Sequence, residues 1–173
     1  GQVAAFTSSQ IRALTTGQLG AFSAQISAVE AEDIPAFSSL QINALSTGVF
    51  IQLATAQIVA FTTAQIPLLK TAQLSALSTE QWQAFETRDI RMLNSLQASS
   101  LGTALMQALS TDAIPALGTA AFRSLKSSQC AALSSEQITA LTSIQLMALS
   151  STQFQGFAAR SGAFGDSQLQ VLS

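Results

Sequence analysis

Four places in this 173-residue sequence hold side chains of a type that does chemistry. Cys130 is the single thiol, a potential nucleophile or metal ligand. Gly165-Asp166-Ser167 has the Gly-Asp-Ser order of one esterase family, in which the serine attacks an acyl carbon. Glu32 with Asp33, and Glu86 with Asp89, are neighbouring carboxylates of the kind used for proton transfer or for holding a cation. Each lacks its complement. A serine or cysteine nucleophile needs a base to activate it, and the chain has no His. Cys130 occupies a place where neighbouring repeats carry Ile, Leu or Phe, so it reads as a small core hydrophobe. The acidic pairs read as partners of helix dipoles on a solvated surface. No EF-hand loop, P-loop, dinucleotide fingerprint or glycosylation sequon is present. The chain is therefore expected to have no catalytic residue, no cofactor, no metal site and no enzymatic activity.

Composition narrows the remaining classes. Hydrophobic residues make up 48% of the chain, enough for a buried core in one ordinary domain's length. Charged residues are only 9%, with a net charge of −2, so no field gathers phosphates and nucleic acid is not an expected partner. Gln, Ser or Thr interrupts every apolar run well before the roughly 18 to 20 residues that span a bilayer. Membrane insertion is not expected, and a soluble chain is. The sequence opens Gly1-Gln2-Val3 already within its own pattern, as a piece cut from a longer array would.

That pattern is a period of eight. Ala56-Gln57-Ile58-Val59-Ala60-Phe61-Thr62-Thr63 repeats as Ala72-Gln73-Leu74-Ser75-Ala76-Leu77-Ser78-Thr79, and 22 such octads cover the chain with three residues omitted near the ends. The reading is one octapeptide-repeat solenoid over 1–173, with irregular terminal repeats at 1–23 and 152–173. Position two is Gln in 15 octads and position five is Ala in 15. Position three is large and apolar in most octads and position six is Leu, Phe or Val throughout, which makes them the expected core. Position four varies between Arg, Asn, Gln, Ala and Pro and is expected to face solvent.

Helical geometry decides how such a unit folds. Eight residues at about 100° each move an apolar stripe by about 80° per octad, so one continuous helix would smear its core face around the cylinder. A strand would send positions three and six to opposite faces. One very short helix of about 1.5 turns per octad remains, and the architecture expected is an all-α solenoid with no helix beyond about eight residues. Leu77-Ser78-Thr79-Glu80-Gln81-Trp82 and Leu133-Ser134-Ser135-Glu136-Gln137-Ile138 each read as a helix start, Ser capping and Gln reaching back. Glu32, Glu80, Asp112 and Glu136 at position one suit the positive end of the dipole. Gly102, Gly118, Gly165 and Asn94 at position seven could equally mark left-handed turns that close the preceding helix, which leaves the cap open between positions seven and eight. Pro35, Pro67 and Pro115 all stand at position four, pointing to 3₁₀ or kinked units. All three lie in odd-numbered octads, which leans toward two octads per coil. Helices this short are unstable alone, so stability must come from stacking.

Runs such as Leu133-Ser134-Ser135-Glu136-Gln137-Ile138-Thr139-Ala140-Leu141-Thr142 resemble the tandem Leu-Thr-Thr-Ala-Gln-Ile-type octapeptide repeats of large bacterial secreted and surface proteins. The resemblance implies an extracellular or surface-linked spacer, with a cytoplasmic place left open, and carries over no catalytic or binding residue. The functional expectation is a structural spacer or stalk whose partners are neighbouring repeats or further copies stacked end to end. The alternative is a binding module presenting hydroxyl rows to ice, glycan or a protein, through Thr47, Thr55, Thr63, Thr71, Thr79 and Thr87. Gln at position two is read as a capping residue in preference to a groove lining.

Overall fold

The computed structural model describes residues 6–20, 26–157, 162–166, 168 and 170. The chain divides into two compact units, Gly1–Asp89 and Ile90–Ser173. The first carries α1 (Ser8–Ala13), α2 (Thr16–Gly20), 3₁₀ segments Ile26–Ala28 and Ala31–Ala36, α3 (Ser39–Ala44), α4 (Thr47–Gln52) and α5 (Thr55–Val59). It continues through a 3₁₀ segment Ile66–Leu68 to α6 (Thr71–Ser75) and α7 (Thr79–Gln83), with α8 (Thr87–Ile90) at the boundary. The second carries α9 (Ser95–Ser100), α10 (Thr103–Ala108), α11 (Ala113–Ala116), α12 (Thr119–Arg123), α13 (Ser127–Ala132), α14 (Ser135–Thr139), α15 (Ser143–Met147) and α16 (Ser151–Gly156). Among the described residues no helix exceeds six residues, and the only β pairing is an isolated bridge between Phe6 and Val29. Among the described residues the octads form one short α or 3₁₀ segment apiece, as the spacing argument requires.

The helix ends where position six turns extended. Leu45 has φ −64° and ψ 131°, and the next residue, Ser46, has φ −75° and ψ 162°. Two extended residues then join one helix to the next, and position seven is the N-cap. Left-handed closure does not occur: no described residue has a positive φ, and Asn94, Gly102 and Gly118 are extended N-caps. The glycines are tolerated there because the linker geometry suits any residue, so the left-handed reading of position seven is corrected. Pro35 and Pro67 lie in 3₁₀ segments and Pro115 in the four-residue α11, consistent with proline's constraint on the residue before it.

Positions three and six form the core of each unit. The described position-three side chains from Ile11 to Leu146 are at most 1% exposed, Trp82, Phe50 and Phe122 among them. Burying each large side chain contributes about 1.5 to 3 kcal/mol. Phe154 departs from this register at 45% exposure, stacked on Phe164 with ring centroids 6.1 Å apart. The expectation that every position-three residue is core fails there.

Helices three octads apart pack against each other, α4 on α6 and α5 on α7 in the first unit, α9 on α12 and α13 on α16 in the second. Side-chain hydrogen bonds reach four octads, as described below. One coil therefore takes between three and four octads, and the lean toward two is corrected. Position five is the point of close approach: a Cβ on Gly156 would collide with the Ser127 carbonyl oxygen where α16 crosses α13. Gly156→Ala is expected to destabilise the second unit by about 1 to 3 kcal/mol in thermal or urea melts. Gly102→Ser, at an open N-cap, is expected to gain a few tenths.

Candidate functional site

The recurrent arrangement in both units is a glutamine clamp. Its first half is the capping box. In α7 the Gln81 N–H donates to Ser78 Oγ at 3.1 Å and the Ser78 N–H donates to Gln81 Oε1 at 2.8 Å. In α14 the same bonds join Gln137 and Ser134 at 3.2 and 2.8 Å. Where position seven has no acceptor, at Ala54, Lys70 and Lys126, the glutamine half still forms, at 2.7 to 2.8 Å.

The second half was not legible in the repeat. In the buried glutamines from Gln41 onward Nε2 points inward and donates to carbonyls four octads earlier. Gln73 bonds Ile42 and Leu45, both at 2.9 Å, and Gln57 bonds Ile26 and Val29 at 2.8 and 2.7 Å. Gln145 bonds Ile114 and Leu117 at 2.8 and 3.0 Å, and Gln153 bonds Phe122 and Leu125 at 3.0 and 2.9 Å. The closest acceptors are the carbonyls of positions three and six; the position-three carbonyl also takes the N–H of its own position six, as Leu45 N–H donates to Ile42 at 3.2 Å, and Gln81, Gln137, Gln153 and Gln168 add a longer bond to position four. One amide thus closes the start of its own helix and the end of another. It is buried for that reason, at 1% exposure in Gln73 and Gln129. The capping-box spacing was the only sequence signal, and it explains the side-chain oxygen but not the nitrogen.

Asp89 stands where the clamp residue belongs. It is fully buried, its Oδ2 accepts the Glu86 N–H at 3.2 Å, and its Oδ1 has no hydrogen-bond partner. The Arg88 guanidinium lies 3.7 Å from that oxygen and 2.9 Å from Glu86. Burial pushes the Asp89 carboxyl above its usual range, against the opposing pull of the Glu86 N–H and of Arg88. Asp33, the other position-two acid, accepts from the Ser8 hydroxyl. Glu30 is raised by its hydrogen bond and charge repulsion with Glu32. These carboxylates are spread over different octads, and among the described residues no group of three His, Cys, Asp or Glu could hold a metal ion.

Cys130 is fully buried and burial pushes its thiol up to about 11. A thiol reagent is expected to leave native Cys130 unmodified at neutral pH and to titrate it fully in denaturant; labelling of the native chain would contradict this. Asp166 is exposed, and Ser167 of the Gly-Asp-Ser stretch lies outside the described residues.

Position eight is the first helical residue at Thr47, Thr55, Thr71, Thr79 and Thr87, so these threonines are not caps, and Thr63 lies in a turn ahead of the 3₁₀ segment Ile66–Leu68. Thr47, Thr55, Thr63, Thr79 and Thr87 are exposed and Thr71 is half-buried. With three to four octads per coil, consecutive threonines turn around the unit instead of forming one row. Thr47 and Thr71 sit on the contacting helices α4 and α6, and Thr55 and Thr79 on α5 and α7.

Fold and clamp together define a tandem octapeptide-repeat protein. The family model described as the ALTTAQ repeat matches residues 82–119 and 114–143. Its six letters run from octad position five to position two, across the linker to the clamp glutamine, as in Ala60-Phe61-Thr62-Thr63-Ala64-Gln65. No curated protein and no solved structure matches the chain. Among the described residues no helix is long and apolar enough to cross a membrane.

Proposed function

We propose that the chain is a non-enzymatic structural spacer, held extended by its own repeats and carried on an exported bacterial surface or secreted protein. The observation that supports this reading most is the clamp, repeated with the same two acceptors from Gln41 to Gln168. Recurrent cross-coil bonds resist stretching, because pulling a coil away breaks two buried hydrogen bonds for every octad that carries the clamp, at about 1 kcal/mol each, along with the apolar contacts. Titratable groups, by contrast, are few. The surface reading rests on the resemblance to repeats of bacterial secreted and surface proteins.

Stretching the chain between two handles in an optical trap tests the spacer role. Extension is expected in discrete steps, each releasing three to four octads. Smooth extension from zero force, as an unstructured tether gives, would overturn it. Turnover of any compound in a panel of chromogenic esters, phosphoesters and glycosides would overturn the non-enzymatic part. Antibody labelling of intact producing cells tests the location, and labelling only after lysis would place the protein inside.

A further inference from the structure

In the first unit one clamp has lost its donor and gained an acceptor. At Gln57, Gln65, Gln73 and Gln81, Nε2 sits 2.7 to 3.1 Å from the carbonyls of positions three and six four octads earlier. The same register sets Asp89 against the carbonyls of Ile58 and Phe61, at the end of α5. Two hydrogen bonds fix that register. Asp89 Oδ2 accepts the Glu86 N–H at 3.2 Å, as a clamp Oε1 does, and Arg88 Nη2 donates to the Val59 carbonyl at 3.4 Å. Val59 stands at position four, the place that Gln81 reaches at Ile51. With Oδ2 on the cap, Oδ1 lies on the side of the carboxyl where a glutamine carries its NH₂. Asp89 is fully buried and Oδ1 has no hydrogen-bond partner. Asp33, the other position-two acid, differs, because the Ser8 hydroxyl donates to it.

We propose that Asp89 and the carbonyls of Ile58 and Phe61 form a binding site for an ammonium ion, which donates to all three oxygens and stands in for the missing amide. Aspartate is one methylene shorter than glutamine, so the room left is about that of one water-sized group. Hydrogen count selects the occupant. A water has two hydrogens for three acceptors, whereas ammonium has four. Charge agrees, since Glu86 and Asp89 against Arg88 leave one net negative charge when ionised. Arg88 does not supply the donor itself: Glu86 holds its Nε at 2.9 Å, Oδ1 is 3.7 Å away, and the side chain is 56% exposed. The clamp spacing is that of N–H···O bonds, longer than the about 2.0 to 2.1 Å of Mg²⁺ or 2.3 to 2.6 Å of Ca²⁺. The ion thus acts as a detachable clamp on α8, an inference that goes beyond the spacer reading without depending on it.

Circular-dichroism melts of the whole chain at neutral pH test this, with ammonium chloride replacing tetramethylammonium chloride stepwise at constant ionic strength. Tetramethylammonium carries the charge but no N–H. The Tm of the unaltered chain is expected to rise by about 2 to 4 °C at about 0.2 M ammonium, the effect of a roughly tenfold gain in the folding constant for a chain of this size. Asp89→Gln is expected to melt at the same temperature in both salts, because its own amide takes the site. Asp89→Asn is expected to do so as well, having lost the charge, and it replaces the Gln variant should that one not fold. An unaltered chain whose Tm ignores ammonium would overturn the proposal. So would an equal rise in the variants, which would mark a general salt effect. An equal rise with potassium chloride would also overturn it, since potassium has no hydrogen to donate.

Discussion

Replacing Gln145 by Glu is expected to lower stability at pH 7 by about 3 to 5 kcal/mol, the cost of leaving a buried charge without a partner. That corresponds to a fall in Tm on the order of 10 °C. Gln145 is 2% exposed, its Oε1 accepts the Thr142 N–H at 3.0 Å, and its Nε2 donates to Ile114 and Leu117. Glutamate preserves the capping half and inverts the clamping half, setting a carboxylate against two carbonyl oxygens. The same swap at Gln83, an exposed position-four residue, is expected to change stability by less than about 0.5 kcal/mol. The pH dependence separates this from a packing defect. Burial raises the folded pKa of the introduced carboxyl above its unfolded value of about 4.3. Between the two values the folded state holds more protons, so the deficit is smallest below about pH 4 and grows as pH rises. Urea melts of the Gln145→Glu chain at several pH values measure it, and a pH-independent deficit would exclude the clamp as its cause.

Asp89→Gln is expected to act in the other direction, stabilising the chain by about 1 to 3 kcal/mol at pH 7. The register places a glutamine there against the carbonyls of Ile58 and Phe61, which receive no clamp at present. Two hydrogen bonds at about 1 kcal/mol each would form, and a buried carboxyl oxygen without a partner would be removed. Asp89→Asn is one methylene too short to reach and is expected to gain less. Because burial raises the Asp89 carboxyl, its contribution is fully present below the unfolded value of about 3.9 and is lost as pH rises through the folded pKa. The advantage of the Gln variant should therefore widen from acid to neutral pH. A variant less stable than the parent at pH 7 would show that the Arg88 contact, and not the vacant clamp, governs the site.

The octad, the short helix, the core at positions three and six and the exposed position four were all readable from the residues. They follow from local periodicity and from the side-chain chemistry of a helix start, both of which act within one repeat. Phe154 was misread because its burial depends on what stacks above it, which octad composition does not encode. Gly102, Gly118 and Asn94 were ambiguous for a similar reason: a linker of two extended residues and a left-handed turn accept the same residue types, and only the backbone angles separate them.

What the sequence determined by itself was the unit and its internal bonds, because capping, amphipathicity and the limit on helix length are satisfied by residues at most eight apart. The number of octads per coil and the second duty of position two come instead from packing between octads far apart in sequence. Ser78 and Gln81 announce a capping box by their spacing, yet nothing local says where Gln81 Nε2 will go; it reaches Phe50 and Leu53 at 2.9 and 2.7 Å. That bond exists because the coil brings two helix-end carbonyls with acceptor capacity to spare, Phe50 already taking the Leu53 N–H, beside an amide with one donor group to spare. A long-range closure of this kind leaves no mark in an eight-residue pattern beyond the persistence of the glutamine itself.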